Sequence, residues 1–314
     1  MTKSSSDLLR VLIESVDNKY AMFKDLLQQF YYQCRVKNLT ETTLRGYGDR
    51  LSNFYQFIKS KNVLFENVKR STIEEYVLSQ KDKVSDYTVN GRIRVLKLFF
   101  NYLVTEGLWN NGNPLEKVQF IKAEKKIKPV LTSQDVEKLL SVPNKRSFSG
   151  CRNFCMILVF WDSLIRLSEL INVKLDDLNL RDGLLKVYGK GRKERIVPLG
   201  SKAIKSLHYY LIKYRNQIEG EYLFCTSKGK PLEQRNVQRI LDRIGKRIGI
   251  HVSPHLIRHS AATWWIRQGA QPMYLQNLMG HTSMSVTQKY INLANVDDLK
   301  KHHAKYSPGD NLRV

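Results

Sequence analysis

The amino-acid sequence predicts a mainly α-helical protein with a small antiparallel β-sheet, built as an N-terminal helical domain and a mixed α/β C-terminal one. Three observations carry this. The chain has 314 residues, more than one small core organises when domains run to ~100–200 residues. Apolar residues ahead of Lys122 recur at offsets of three and four, the helical period. Between Leu178 and Gly200 the pattern shifts to short β-favouring runs around a glycine turn. Hydrophobic residues make up 42% and charged residues 26%, so the chain is globular rather than disordered.

Taken in order, "TETTLRGYGDRLSNFYQFIKSK" aligns Leu44, Tyr47, Leu51, Phe54 and Ile58 on one helical face. "STIEEYVLSQ" opens with Ser71 and Glu74, the spacing of a capping box. "SDYTVNGRIRVLKLFFNYLVTEGL" stripes Val89, Ile93, Leu96, Phe100 and Leu103, with Ser85 as N-cap and Gly107 as stop. Arg45, Arg50, Arg92, Arg94 and Lys97 occupy the polar faces of what reads as a bundle of four or five helices. "IKAEKKIKPV" is charged, unpatterned and ends in proline, as an exposed linker does. Thr132 and Asp135 form a further cap pair in "LTSQDVEKLL". "NFCMILVFWDSLIRLSELINV" reads as a long apolar helix or a helix pair. "LLKVY" and "RIVPL" flank "GKGRKE" as a hairpin, and "DLNL" supplies a third strand. The chain is then helical from Lys202, with a short strand and turn expected at "YLFCTSKGKPL".

Charge narrows the partner. Lys and Arg number 52 against 29 Asp and Glu, a net +23, which points to nucleic acid or an anionic membrane surface. No run of ~18 apolar residues spans a bilayer, and the N-terminus lacks a secretory cleavage site. Cys34, Cys151, Cys155 and Cys225 form no CxxC pair and read as reduced core thiols of a cytoplasmic protein.

Four features carry chemistry. "SPHLIRHSAATWWIRQG" has Ser253 as N-cap, Pro254 in the first turn and Gly269 as stop. His255 and Arg258 then share a face beside the positive end of the helix dipole, which favours an anion. A metal reading would pair His255 with His259, but Leu256 stands where a zincin has Glu, and Arg258 would repel a cation. "NLMGHTSMSVTQKY" places His281 at the turn after Gly280 and Tyr290 nine residues beyond it. Arg166, in the apolar "SLIRLSEL", needs a partner, either Glu169 or a bound phosphate. Lys190 sits at the hairpin turn as a solvated cation or a proton donor, and Arg192, Lys193 and Arg195 read as phosphate-backbone contacts.

In this order, "IRLSEL", "GKGRKER", "HLIRH" and "LMGHTSMSVTQKY" resemble the tyrosine site-specific recombinases, the integrases of phages and transposons and the Xer proteins. The resemblance spans about Pro129 to Leu293, and the helical half looks like the family's core-binding domain. It implies that Tyr290 is the nucleophile, that Arg166 and Arg258 grip the scissile phosphate, and that His255 and His281 assist. It also implies that Lys190 protonates the leaving 5′ oxygen and that Glu169 braces Arg166. The chemistry agrees: a tyrosine of ordinary pKa ~10 needs a base or cations to attack at neutral pH. Two guanidiniums can stabilise a phosphodiester transition state without a metal. Neither ATP nor any other cofactor is expected; no Walker loop is present, nor a carboxylate cluster for two-metal chemistry. Leu164 departs from the glycine often found two residues before the first arginine, which bears on the local packing of Arg166.

The implied organisation is a leader over residues 1–20, a DNA-binding helical domain over 21–121, a basic linker over 122–130, a catalytic domain over 131–294 and a tail helix over 295–314. The two domains would form a C-shaped clamp on double-stranded DNA bearing inverted-repeat core sites. Four protomers would exchange strands on two sites through a 3′-phosphotyrosine and a Holliday junction, with an accessory DNA-bending protein or partner recombinase as further partners. The tail would dock in a neighbouring protomer. Arg45, Arg92, Arg94, Lys125 and Lys126 are the expected further DNA contacts, with solvated helix faces as the competing reading. The short leader tilts the reading towards a Xer-like recombinase or a transposon-encoded resolvase or integrase. A type IB topoisomerase, an idle DNA-binding protein of the same fold, and a hydrolase holding a metal on His255, His259 and His281 remain the alternatives.

Overall fold

The computed structural model describes residues 8–122, 129–189 and 194–280, together with Ser283, Thr287 and Tyr290. Lys125, Lys126, Lys190, Arg192, Lys193, His281 and the tail beyond Tyr290 lie outside the described residues. The chain divides into two units, Met1–Lys126 and Ile127–Val314.

The first unit is a bundle of α1 (Leu8–Ser15), α2 (Ala21–Val36), α3 (Glu41–Ser60), α4 (Arg70–Gln80) and α5 (Asp86–Thr105). Its core is aromatic: Phe23, Phe30 and Phe65 pack on Phe99 of α5, and Phe65 and Phe100 pack on Trp109 at 5.2 and 5.3 Å between ring centres. Leu44, Leu51, Phe54 and Ile58 of α3 are fully buried, as their spacing predicts. Ser85 caps α5 through its Oγ, and the chain leaves the helix through Gly107 at φ 69°. Asn90 then holds Ile121 by both backbone groups, at 2.8 Å each, and so fixes the approach to the linker.

Two readings change in this unit. Residues 8–15 are not a separate leader: α1 buries Leu9, Leu12 and Ile13 in the bundle core. α4 begins one residue ahead of Ser71, and its cap is Thr72 Oγ1 accepting from the Lys69 N–H at 3.3 Å. A hydroxyl at the third helical position reaches back to the cap N–H as a Glu would.

The second unit comprises α6 (Ser133–Ser141), α7 (Phe148–Ser163), α8 (Leu167–Asn172), a sheet, α9 (Ser201–Lys213), α10 (Gln234–Arg247), α11 (Pro254–Arg267) and α12 (Pro272–Met279). The sheet strands are β1 (Leu178–Asn179), β2 (Leu184–Tyr188) and β3 (Glu194–Pro198), antiparallel in that order, with Leu185 facing Val197 in the core. Thr132 and Asp135 cap α6 reciprocally at 3.1 and 2.9 Å. Ser260 Oγ of α11 accepts the Leu131 N–H at 2.8 Å and ties the end of the linker to this core. The strand expected near Leu223 is a loop with isolated bridges. Buried Arg215 organises it by donating to the carbonyls of Ile218, Gly220 and Tyr222. All four cysteines are buried and unbridged.

Candidate active site

Four helix ends and one hairpin strand build the site. α7 ends at Leu164, whose backbone is left-handed (φ 52°, ψ 24°) although its side chain is fully buried. That turn delivers Arg166 to the start of α8, where Glu169 Oε2 accepts the Arg166 N–H at 2.6 Å and Oε1 accepts Nη1 at 2.8 Å. α11 starts at the Ser253 cap, with Pro254 in its first turn, as its sequence predicts. Its first turn leaves His255 exposed and Arg258 buried. α12 stops at Gly280, which is left-handed at φ 62°.

The terminal carbonyls of a helix have no partner within it and form the negative end of its dipole. Here three successive carbonyls at the end of α12 each accept from a different arginine. Arg195 Nε donates to Leu278 O at 3.1 Å, Arg258 Nη2 to Met279 O at 2.8 Å and Arg166 Nη2 to Gly280 O at 2.9 Å. Arg258 Nη1 also donates to Leu164 O at 2.5 Å, so one guanidinium joins the ends of α7 and α12. Gly280 is required twice over: its φ suits glycine, and a Cβ there would lie 2.9 Å from Arg195 Nη1.

Exposure separates the two predicted phosphate-binding arginines. The Arg166 side chain is 37% exposed, whereas Arg258 is 7% exposed. Burial, together with the nearby Arg166 cation, pushes the Arg258 pKa down to about 10, which leaves it charged at neutral pH. Tyr290 is 2% exposed and lies with its ring 5.3 Å from that of His259. Burial raises its pKa, and the Arg258 cation partly offsets this. The phenol is therefore protonated at rest and must lose its proton as it reacts. His259 is buried and packs beside the tyrosine in the core.

Of the predicted site residues, Arg166, Arg258 and Tyr290 are drawn together around Glu169 and the α7 and α12 ends, with His255 at the exposed rim of α11. Lys190 and His281 lie outside the described residues. Arg195 is corrected: it is not a surface phosphate contact. Its side chain is 15% exposed and donates to both Glu169 oxygens, at 2.7 and 2.8 Å. In the first unit, Arg45 is exposed on α3, while Arg92 is half-buried with Nη1 donating to Gln80. Exposed Arg94 lies 5.7 Å from the Phe120 ring. Among the described residues, no group of three or more His, Cys, Asp or Glu could hold a metal, and no helix is long and apolar enough to cross a membrane.

Comparison with known proteins agrees with this architecture. Residues 129–296 match the phage integrase family, and residues 26–108 match the phage integrase N-terminal SAM-like domain. The chain is 36% identical over 261 residues to the tyrosine recombinase XerC of Thermodesulfovibrio yellowstonii, covering 80% of this chain and 85% of that one. It is 30% identical over 295 residues to XerD of Listeria innocua, covering 90% and 99%. The fold resembles the Tn1549 transposon integrase in complex with a circular intermediate DNA (TM-score 0.72, 20% identity, 90% and 99% covered). It also resembles the XerH site-specific recombinase bound to a palindromic difH substrate (TM-score 0.71, 21% identity, 96% and 94% covered). With the helical unit, the mixed unit and both arginines accounted for, the chain belongs to the phage integrase family and is a tyrosine recombinase.

Proposed function

We propose that this recombinase cuts and rejoins DNA at specific sites through Tyr290, in the resolution, integration or excision of DNA. The observation that carries the reading is the buried phenol of Tyr290 beside Arg258, itself locked between the Leu164 and Met279 carbonyls. Tyr290 Oη attacks the scissile phosphorus; the O–P bond forms as the P–O5′ bond breaks. The phenolic proton passes to His255 or His281, and Lys190 protonates the departing 5′ oxygen. Arg166 and Arg258 hold the non-bridging oxygens, where negative charge gathers. The 3′-phosphotyrosine conserves the bond energy, so a 5′-hydroxyl from a second strand can reverse the step without ATP.

The same reading extends to the assembly. Double-stranded DNA with inverted-repeat sites is the substrate, and both units grip it. Four protomers pair two sites and pass through a Holliday junction, with the tail beyond residue 294 docking in a neighbour. An accessory DNA-bending protein or a second recombinase, and a cytoplasmic setting, complete the proposal. Replacing Tyr290 with Phe should abolish SDS-resistant DNA adducts, in EDTA as in its absence, while DNA binding persists. An adduct formed by the Phe protein would overturn the assignment, and DNA cleavage without any adduct that is lost in EDTA would favour a metal hydrolase.

A further inference from the structure

Arg195 stands apart from the residues that the family motifs single out. It is the second residue of β3, is 15% exposed at the side chain, and donates from Nε, Nη1 and Nη2 to groups inside the protein. Glu169 is 1% exposed at the side chain and accepts four hydrogen bonds. Oε1 takes Nη1 of Arg166 and Nη1 of Arg195; Oε2 takes the Arg166 N–H and Nη2 of Arg195. A carboxylate offers about four acceptor positions, so this set is complete. The Arg195 fork is bidentate, the stronger and more directional arrangement. Its Nε reaches Leu278 O at the end of α12. A Cβ at Gly280 would press on the same guanidinium and displace it.

One side chain therefore joins the hairpin, the acid that orients Arg166, and the helix end that also holds Arg166 and Arg258. We propose that Arg195 is a positioning residue: it fixes Glu169 and the α12 terminus, and through them sets the Arg166 guanidinium for the scissile phosphate. The proposal rests on the assignment of Arg166 as a phosphate ligand. Arg195 itself contacts no DNA.

The alternative for a cation in so basic a turn is a phosphate-backbone contact, and the two differ in what its loss does. A phosphate contact supports binding and its salt dependence. A positioning residue supports the rate of cleavage. It also supports the charge on Glu169: burial opposes ionisation, and the hydrogen bonds of Arg195 and then of Arg166 overcome this to hold the acid at about 2. The groups facing Glu169 are Arg166 at the N-cap of α8, Arg195 on β3 and, further off, Arg258 on α11. Without Arg195, Glu169 takes up a proton at a higher pH and releases Arg166.

The test compares full-length wild type, Arg195→Gln, Arg195→Lys and Tyr290→Phe on a nicked duplex recovered by binding from a randomised library. Single-turnover adduct formation is followed across acidic and neutral pH, with the DNA Kd measured beside it. For Arg195→Gln we expect a loss of ~10-fold or more in cleavage at neutral pH, Kd held within about threefold, and an acid limb that sets in at higher pH than in the wild type. Arg195→Lys, which keeps the charge but not the fork, should recover part of both effects; if the Gln protein does not fold, the Lys protein is judged by the same criteria. Unchanged cleavage, an equal loss of cleavage and binding, or an unmoved acid limb would each overturn the proposal while leaving the Tyr290 assignment intact. An adduct from Tyr290→Phe would instead overturn the assignment on which it rests.

Discussion

Leu164 holds a backbone conformation that L-residues avoid, at φ 52°, with its side chain fully buried and its carbonyl on Arg258. The left-handed conformation costs ~1–2 kcal/mol, whereas emptying a buried leucine site costs about 2–5 kcal/mol. Packing therefore outweighs strain, and Leu164→Gly should lower unfolding stability in urea by about 2 kcal/mol; a gain would show that the side chain contributes little there. At this scale the motif residues were readable because each lies in a short distinctive string, Arg166 in "IRLSEL" and Arg258 in "HLIRH". Arg195 was not. It is 26 positions from Glu169 in the chain, and in a turn containing Lys190, Arg192 and Lys193 nothing local marks one cation as internal. Nor could the sequence place His259 against Tyr290, since that contact depends on how distant segments pack.

Element ends follow from near neighbours, and most were legible for that reason. Ser85, Thr132 and Ser253 cap their helices through hydroxyls that reach three residues along, and the hairpin follows from two β-favouring runs about a glycine turn. α1 escaped notice because a helix of eight residues gains its stability from packing on the bundle rather than from its own sequence. The loop near Leu223 keeps β-favouring residues, yet the Gly220 and Tyr222 carbonyls go to Arg215 and only isolated bridges form. On α5, the spacing alone cannot rank Arg92 against Arg94, but the structure separates them. Arg92 donates to Gln80, while Arg94 is exposed. If α5 faces DNA, Arg94→Ala should reduce the slope of log affinity against log salt by ~1, and Arg92→Ala by less. Equal slopes for both variants and wild type would remove this helix from the proposed interface.

For the molecule as a whole, the net charge of +23 announced a polyanionic partner, and the order of four motifs announced the family. Neither reports on assembly, because contacts between protomers are not encoded in any local pattern. If the segment after Ala294 docks in a neighbouring protomer, its removal should impair assembly on paired DNA sites more than binding to a single site, by gel mobility and sedimentation. Equal loss of both would contradict the docking. The account nevertheless turns on one phenol, held in the core beside a locked arginine. The most direct measurement is to trap the adduct on a nicked duplex, digest it and identify by mass spectrometry the residue that carries the DNA. The account predicts Tyr290 bearing a 3′-phosphate-linked strand; a DNA adduct on any other residue, or one linked through a 5′-phosphate, would contradict it.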